Sequence, residues 1–302
     1  MPRPSLPPLG ILILGAFGLI RQKWPSFCVG VLFFGMLLAV GSAYLDRSVD
    51  RVLETLGQQT GLTAEEVQAT VEAQFREIAD SASVQSDSGA IIASSDGLNS
   101  LLLQASSLQD QLRAGVQPAV TKDLILPSYL ARMGTTAFGI FVFYIVVLFL
   151  SMLFFCLLSV SGPASISDVV LRLPFTVLPA VGLVLLIVLR SFLWVPFLGL
   201  PLGLYFLPRL SLAPILLLSG EAGIFRSAAV SMHRTKGLWF PLFLRFLGGF
   251  LLLLSIGWFV ILIAGSVMLF SVKIGFLLWF CGLIVLVAVA MAFLTVVAAT
   301  VG

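Results

Sequence analysis

The residue best placed to do chemistry in this sequence is Arg209. It stands about halfway along an apolar stretch, 197–218, directly after Pro208 and shortly before Pro214. Arginine keeps its charge in any protein environment. A charge at membrane depth is costly and is kept where it meets a partner or a ligand. Each proline removes a backbone donor and frees the carbonyl four residues earlier, here those of Leu204 and Leu210. Two uses follow. Either the guanidinium bonds such carbonyls and holds a broken helix together, or it offers a positive charge to an anionic small molecule or lipid headgroup, as broken transporter helices do near the midplane. Gly199, Pro201 and Gly203 add to the expected interruption, and irregular backbone at that depth is tolerated only against protein or a water-filled cavity.

A second group of candidates follows at once. Residues 221–236 read as an amphipathic helix, with Ile224, Phe225, Ala228 and Met232 on one side and Arg226, His233 and Arg234 elsewhere. Such a helix lies in the membrane interface and attracts anionic headgroups. Arg226, Arg234 and Lys236 therefore join Arg209 and Glu221 as ligand- or lipid-binding candidates. Glu221, at the helix start, suits the positive end of the helix dipole; alternatively it pairs with Arg209, which requires a bend at Gly220. His233 reads as part of a solvated basic face.

Other chemistry finds little material. There is no G-x-S-x-G serine, no phosphate-cradling P-loop and no intramembrane Asp, Glu or His pair to act as acid and base, so an enzyme is not expected. Proton-coupled transport is weakened on the same ground. One histidine, with no CxxC or HxxxH, implies no metal site and no cofactor. Cys28, Cys156 and Cys281 all lie in apolar runs and read as small buried hydrophobes, not as a disulfide framework. The basic residues are scattered over short loops without a continuous stripe, which excludes nucleic acid as a partner.

The elements that must position these residues are membrane helices. At 302 residues, 59% hydrophobic and 10% charged, the chain is far outside the soluble range. Its charges are segregated: residues 46–132 hold 12 of the 14 acidic side chains and six basic ones, whereas the rest is strongly basic. Residues 1–26 read as a Pro-rich tail and an interfacial helix, because the apolar run from Leu9 to Ile20 rises only about 18 Å against about 30 Å of hydrocarbon. Spanning helices are expected at 27–45, 134–160, 173–190, 197–218, 246–270 and 275–299. Ser161–Arg172 is expected as a polar loop, Arg190 and Trp194 as an interfacial pair, and Lys273 in the last turn. The basic short segments place both termini on the cytoplasmic side of a bacterial inner membrane.

Between the first two spans lies the acidic insert, 46–132, expected outside the cytoplasm and mostly helical. The helical pattern runs on past Leu45 until Gly57 and Gly61 break it. Thr63-Ala-Glu-Glu66 is a capping box, opening a helix with Val67, Val71, Phe75 and Ile78 on one stripe. Residues 81–96 read as a connection, and Leu98, Leu101, Leu102, Ala105, Leu108 and Leu112 line a further helix. These stripes form either the core of a helical hairpin or a surface for a protein partner.

Two junctions repeat a pattern of short helix, Arg-x-Lys, Trp and spanning helix: Arg21-Gln-Lys23-Trp24 and Arg234-Thr-Lys236-Gly-Leu-Trp239. Moreover, Tyr205, Arg209, Ser211, Pro214, Glu221 and Ser231-x-x-x-Thr235-Lys236-Gly237-x-Trp239 resemble a bacterial integral-membrane family. That family includes the membrane domain fused to some glycerophosphodiester phosphodiesterases and stand-alone relatives of unknown role. The resemblance covers about 173–270, with Met232 where an aromatic is common and an unusual insert. It implies a six-helix membrane body without the fused hydrolase. The sequence thus predicts an all-α polytopic membrane protein of about six transmembrane helices, with interfacial amphipathic helices and a helical extramembrane insert. Its membrane body, 133–302, would meet a bilayer with anionic headgroups, and its insert a protein partner. A non-enzymatic scaffold or accessory role is expected, the alternative being a transporter or lipid-handling protein that uses Arg209.

Overall fold

The computed structural model describes residues 6–86, 103–111, 124–160, 166–192, 205–206 and 208–301, with side chains described throughout these ranges except at 77–86 and 190–192. Its regular elements are helices, and no strand occurs among the described residues. In chain order they are α1 (Leu9–Gln22), α2 (Trp24–Thr60), α3 (Ala64–Ser86), α4 (103–111), α5 (Ile125–Val160), α6 (Ile166–Phe192), α7 (Ala213–Leu218), α8 (Ile224–Arg234), α9 (Trp239–Met268) and α10 (Val272–Val301). Five of them, α2, α5, α6, α9 and α10, are long and apolar enough to cross a membrane.

The chain divides into two compact units. The first comprises residues 1–39 and 145–302. In it α9 and α10 form a helical hairpin, and α1 lies against both through Leu12, Ala16 and Ile20, a stripe at i, i+4, i+8. At 14 residues, about 21 Å, α1 is too short to span, as expected. The early part of α2 meets the late part of α5 through Phe27, Phe34, Phe154 and Phe155, whose rings stack or meet edge to face at 5.3–5.6 Å. Gly35 lets α2 approach α10: a methyl built there would come within 3.2 Å of the Cys281 Cα. The three cysteines are free.

The second unit, residues 40–144, has its own core: Leu53 and Leu56 from α2, Val67 and Val71 from α3, Ile125 and Leu126 from α5. The α2–α3 connection is fixed locally. Gly61, at φ +73°, takes the left-handed position after the last helical residue, and the Leu62 N–H reaches back to the Gly57 carbonyl at 3.1 Å. The capping box then opens α3: the Thr63 N–H donates to Glu66 Oε2 at 2.8 Å, and the Glu66 N–H to Thr63 Oγ1 at 3.3 Å. Side-chain amides tie the helices together. Gln74 Oε1 accepts from the Leu126 N–H, the Arg132 guanidinium donates to Gln59 Oε1 at 3.0 Å, and Gln109 Nε2 donates to Thr135 Oγ1 at 2.8 Å.

Several expectations are corrected. Gly57 does not break α2, which runs to Thr60. The stretch 81–96 is not wholly a connection, because α3 continues to Ser86. Helix α5 begins at Ile125 rather than 134, since Pro127 falls in its first turn, where a missing N–H costs nothing. Ser161–Arg172 is not a loop throughout, for α6 starts at Ile166 with Asp168 in its first turn. Lys273 lies in the first turn of α10. The span expected at 197–218 is not one continuous helix: helical turns at 205–206 and 208–210 are followed by a turn at Ser211–Leu212, then by six-residue α7. From Pro208 to Leu218 the rise is about 16 Å, half a bilayer core. The six-span count behind the shared side of the two termini therefore does not follow from the described helices. Residues 197–204, the Arg190–Trp194 pair, the Ile78 side chain, and Leu98, Leu101, Leu102 and Leu112 lie outside the described residues and side chains.

Replacing Thr63 by Ala is expected to cost about 1 kcal/mol. It should speed amide exchange in the first turn of α3 while leaving α9 and α10 unchanged, as read by hydrogen exchange with mass spectrometry.

Candidate functional site

Arg209 sits just before a break in the helical structure. The turn at Ser211–Leu212 interrupts the helix, with Ser211 Oγ donating to the Pro208 carbonyl at 2.7 Å, and Pro214 occupies the first turn of α7. The segment packs on α6 and α8 around Leu183, Leu210, Ala213 and Ala228, with Met232 and Phe206 at the edge.

From this position the half-buried guanidinium makes two bonds. One nitrogen donates to the Tyr205 hydroxyl, whose ring lies 5.1 Å from the guanidinium carbon; the other donates to the Met232 carbonyl at 2.8 Å. Met232 is in the last turn of α8, where carbonyls have no intrahelical partner, and a cation there also opposes the negative end of the helix dipole. The Arg209 carbonyl in turn accepts from Ser231 Oγ and, at 3.4 Å, from Thr235 Oγ1. Ser231 and Thr235 are fully buried. The carbonyl bonded by the guanidinium is thus not one freed by a neighbouring proline but one at the end of the next helix. The Arg209 Nε is buried with no hydrogen-bond partner among the described residues.

The sequence candidates part company here. Arg209, Tyr205, Ser231, Thr235 and Trp239 come together, the Tyr205 and Trp239 rings lying 5.8 Å apart. Gly237, at φ +80°, turns the chain into α9. Glu221 does not pair with Arg209. It precedes α8, which starts only at Ile224, and it meets Arg234 at 3.0 Å in a surface ion pair, of a kind worth about 0–1 kcal/mol. Of the apolar side expected for α8, Ala228 is buried and Ile224 and Met232 pack beside it, but Phe225 does not join them. Ser227, Ala228, Ser231 and Thr235 face inward, whereas Phe225 is 76% exposed. Arg226 and Lys236 lie on the exposed side and touch neither Arg209 nor each other in any hydrogen bond or ion pair.

Two clasps went unrecognised in the sequence. Arg245 donates through Nε to the Pro7 carbonyl at 2.9 Å and through a terminal nitrogen to that of Leu6, holding the chain just before α1 against α9. Lys23 donates to the carbonyl of Leu158, in the last turn of α5, and burial pushes its ammonium below the usual lysine range. The only signal for either was a basic residue beside an apolar run.

In the second unit a cavity of about 530 Å³ is lined by Asp46, Asp50, Glu72, Gln68, Phe75 and Tyr129, among others. No cluster of three or more metal-ligating side chains occurs among the described residues.

The fold and this site define an all-α polytopic membrane protein in which an arginine fastens an interrupted helical segment to the end of a neighbouring helix. No family model, no curated protein and no solved structure matches the chain.

Arg209→Ala is expected to lower the melting temperature in mild detergent and to loosen α8, losing a charge-assisted bond of about 1.5–3 kcal/mol. Arg209→Lys, which keeps the charge but not the fork, should loosen α8 nearly as much. Hydrogen exchange at the α8 amides would show both effects.

Proposed function

We propose that the chain is a non-enzymatic scaffold or accessory protein of a bacterial inner membrane, with its basic segments cytoplasmic and its acidic insert outside. The family resemblance at 205–239 belongs to the same proposal and implies a membrane body without hydrolase activity. The observation that carries the scaffold reading is the second unit. Residues 40–144 form a helical body with its own core and polar ties, a fold suited to presenting a surface. The stripes that could have been docking faces are used largely as core, since Val67, Val71, Ala105 and Leu108 are buried. Among the described residues of the insert, Phe75 and Leu103 stay exposed, at 43% and 70%, and offer apolar groups to a protein partner.

One observation favours the alternative, a transporter or lipid-handling protein for an anionic small molecule or headgroup. The Arg209 Nε–H is buried and unpaired, and a bound anion would satisfy it.

Purification of the full chain in mild detergent separates the two readings. The scaffold reading expects a protein partner at near one-to-one ratio, lost in the Phe75→Ser/Leu103→Ser variant. A small anion or lipid retained by the wild type and lost in Arg209→Lys, with no protein partner, would sink the scaffold reading in favour of the alternative.

A further inference from the structure

The outward face of α8 carries chemistry that neither its packing nor the Arg209 site uses. Ser227, Ala228, Ser231 and Thr235 occupy the inward side. At 100° per residue, the opposite side collects Phe225, Arg226, Ala229, His233 and Lys236, all exposed. No acidic residue occurs from Ile224 to Leu238. The nearest, Glu221, is already held by Arg234 on the helix flank. Arg226 and Lys236 have no ion pair among the described residues. The face is therefore a compact positive surface with one phenylalanine on it, and that ring is 76% exposed.

The place of α8 in the chain says what meets this surface. Four residues after α8 ends, Trp239 begins the membrane-crossing helix α9. Arg245 is the last charged residue before the uncharged run 246–268 of α9, and a charge is costly within hydrocarbon, which sets the edge of the hydrocarbon at about this residue. Trp239 to Arg245 rises about 9 Å, close to the thickness of the polar layer on one side of a bilayer. Helix α8 thus stands at the level of the headgroups.

We propose that this outward face docks on the anionic phospholipid headgroups of the adjacent leaflet. Arg226 and Lys236 contact phosphates, His233 adds a donor, and Phe225 enters the boundary between headgroups and acyl chains. The surface is separate from Arg209, whose guanidinium points into the fold, and it depends only on the protein being membrane-embedded, not on the scaffold reading.

The test uses the full chain in mild detergent, supplied with an equimolar mixture of phosphatidylcholine and phosphatidylglycerol, with retained lipids counted by native mass spectrometry. Wild type is expected to retain phosphatidylglycerol in preference. The Arg226→Gln/Lys236→Gln variant should lose about fivefold of that preference for each charge, the ratio that about 1 kcal/mol per basic residue represents. The Glu221→Gln/Arg234→Gln variant, which removes the ion pair without changing net charge, should keep it. Unchanged hydrogen exchange at the α8 amides would show that the substituted helices stay folded, as expected where the replaced side chains are exposed or share only a surface ion pair. Equal retention of both lipids by wild type, or an undiminished preference in Arg226→Gln/Lys236→Gln, would overturn the proposal.

Discussion

A helix that ends near or within a bilayer leaves carbonyl groups with neither a fourth-neighbour amide nor bulk water to bond them, and an unmet carbonyl there costs several kcal/mol. This chain meets that constraint with cations. The Arg209 guanidinium bonds the Met232 carbonyl at the end of α8, and the Lys23 ammonium the Leu158 carbonyl at the end of α5. Arg245 bonds the two carbonyls that precede α1. Two of these three cations also oppose the negative end of a helix dipole. Basic residues in a membrane protein are commonly taken as topological marks or ligand sites. Here three of them are fasteners, each joining segments far apart in sequence, and the seating of α1 and α8 depends on them.

The two Arg-x-Lys junctions show how far such sequence likeness reaches. In both, a short helix is followed by a tryptophan that opens a long apolar helix. At the first the break is Lys23 alone, and its ammonium is spent on α5. At the second the break is Thr235 to Leu238, turned by Gly237 in a left-handed conformation, and Lys236 stays exposed. The shared pattern encodes a membrane boundary, basic residues and an interfacial aromatic; what each lysine does is decided by what packs beside it.

Features whose cause is local were legible in the sequence. The Thr63–Glu66 capping box needs only residues three apart, Gly61 only its own backbone freedom, and the apolar lengths of α2, α9 and α10 only composition. Features decided by tertiary contact were not. A period of 3.6 grouped Phe225 with Ile224, Ala228 and Met232, but Arg209 binds α8 through a carbonyl of its last turn and offers its own carbonyl to Ser231 and Thr235, so the hydroxylic side turns inward with Ala228 and Phe225 is left exposed. Glu221 was open between a dipole role and Arg209, and the start of α8 at Ile224 leaves it beside Arg234 instead. An interruption in 197–218 was expected from its prolines and glycines, but its place, the turn at Ser211–Leu212, was not.

Helix α8 consequently has two faces with separate physics. Its inner face is held by short hydrogen bonds in a buried setting, where removing one partner strands another and the loss appears as stability. Its outer face carries charges with no ion pair among the described residues, where a substitution is expected to leave the fold alone and change what the surface attracts; between solvated charges that attraction falls off over about 10 Å at ordinary salt. Of the motif residues that suggested a family, Tyr205, Arg209, Ser231, Thr235 and Trp239 belong to the inner, structural set, whereas Lys236 lies on the outer face and Glu221 in a surface ion pair. Arg226, Phe225 and His233 lie outside that motif. A sequence pattern anchored on Arg209 therefore reports mainly how this segment is built, and of the outer face it includes Lys236 alone.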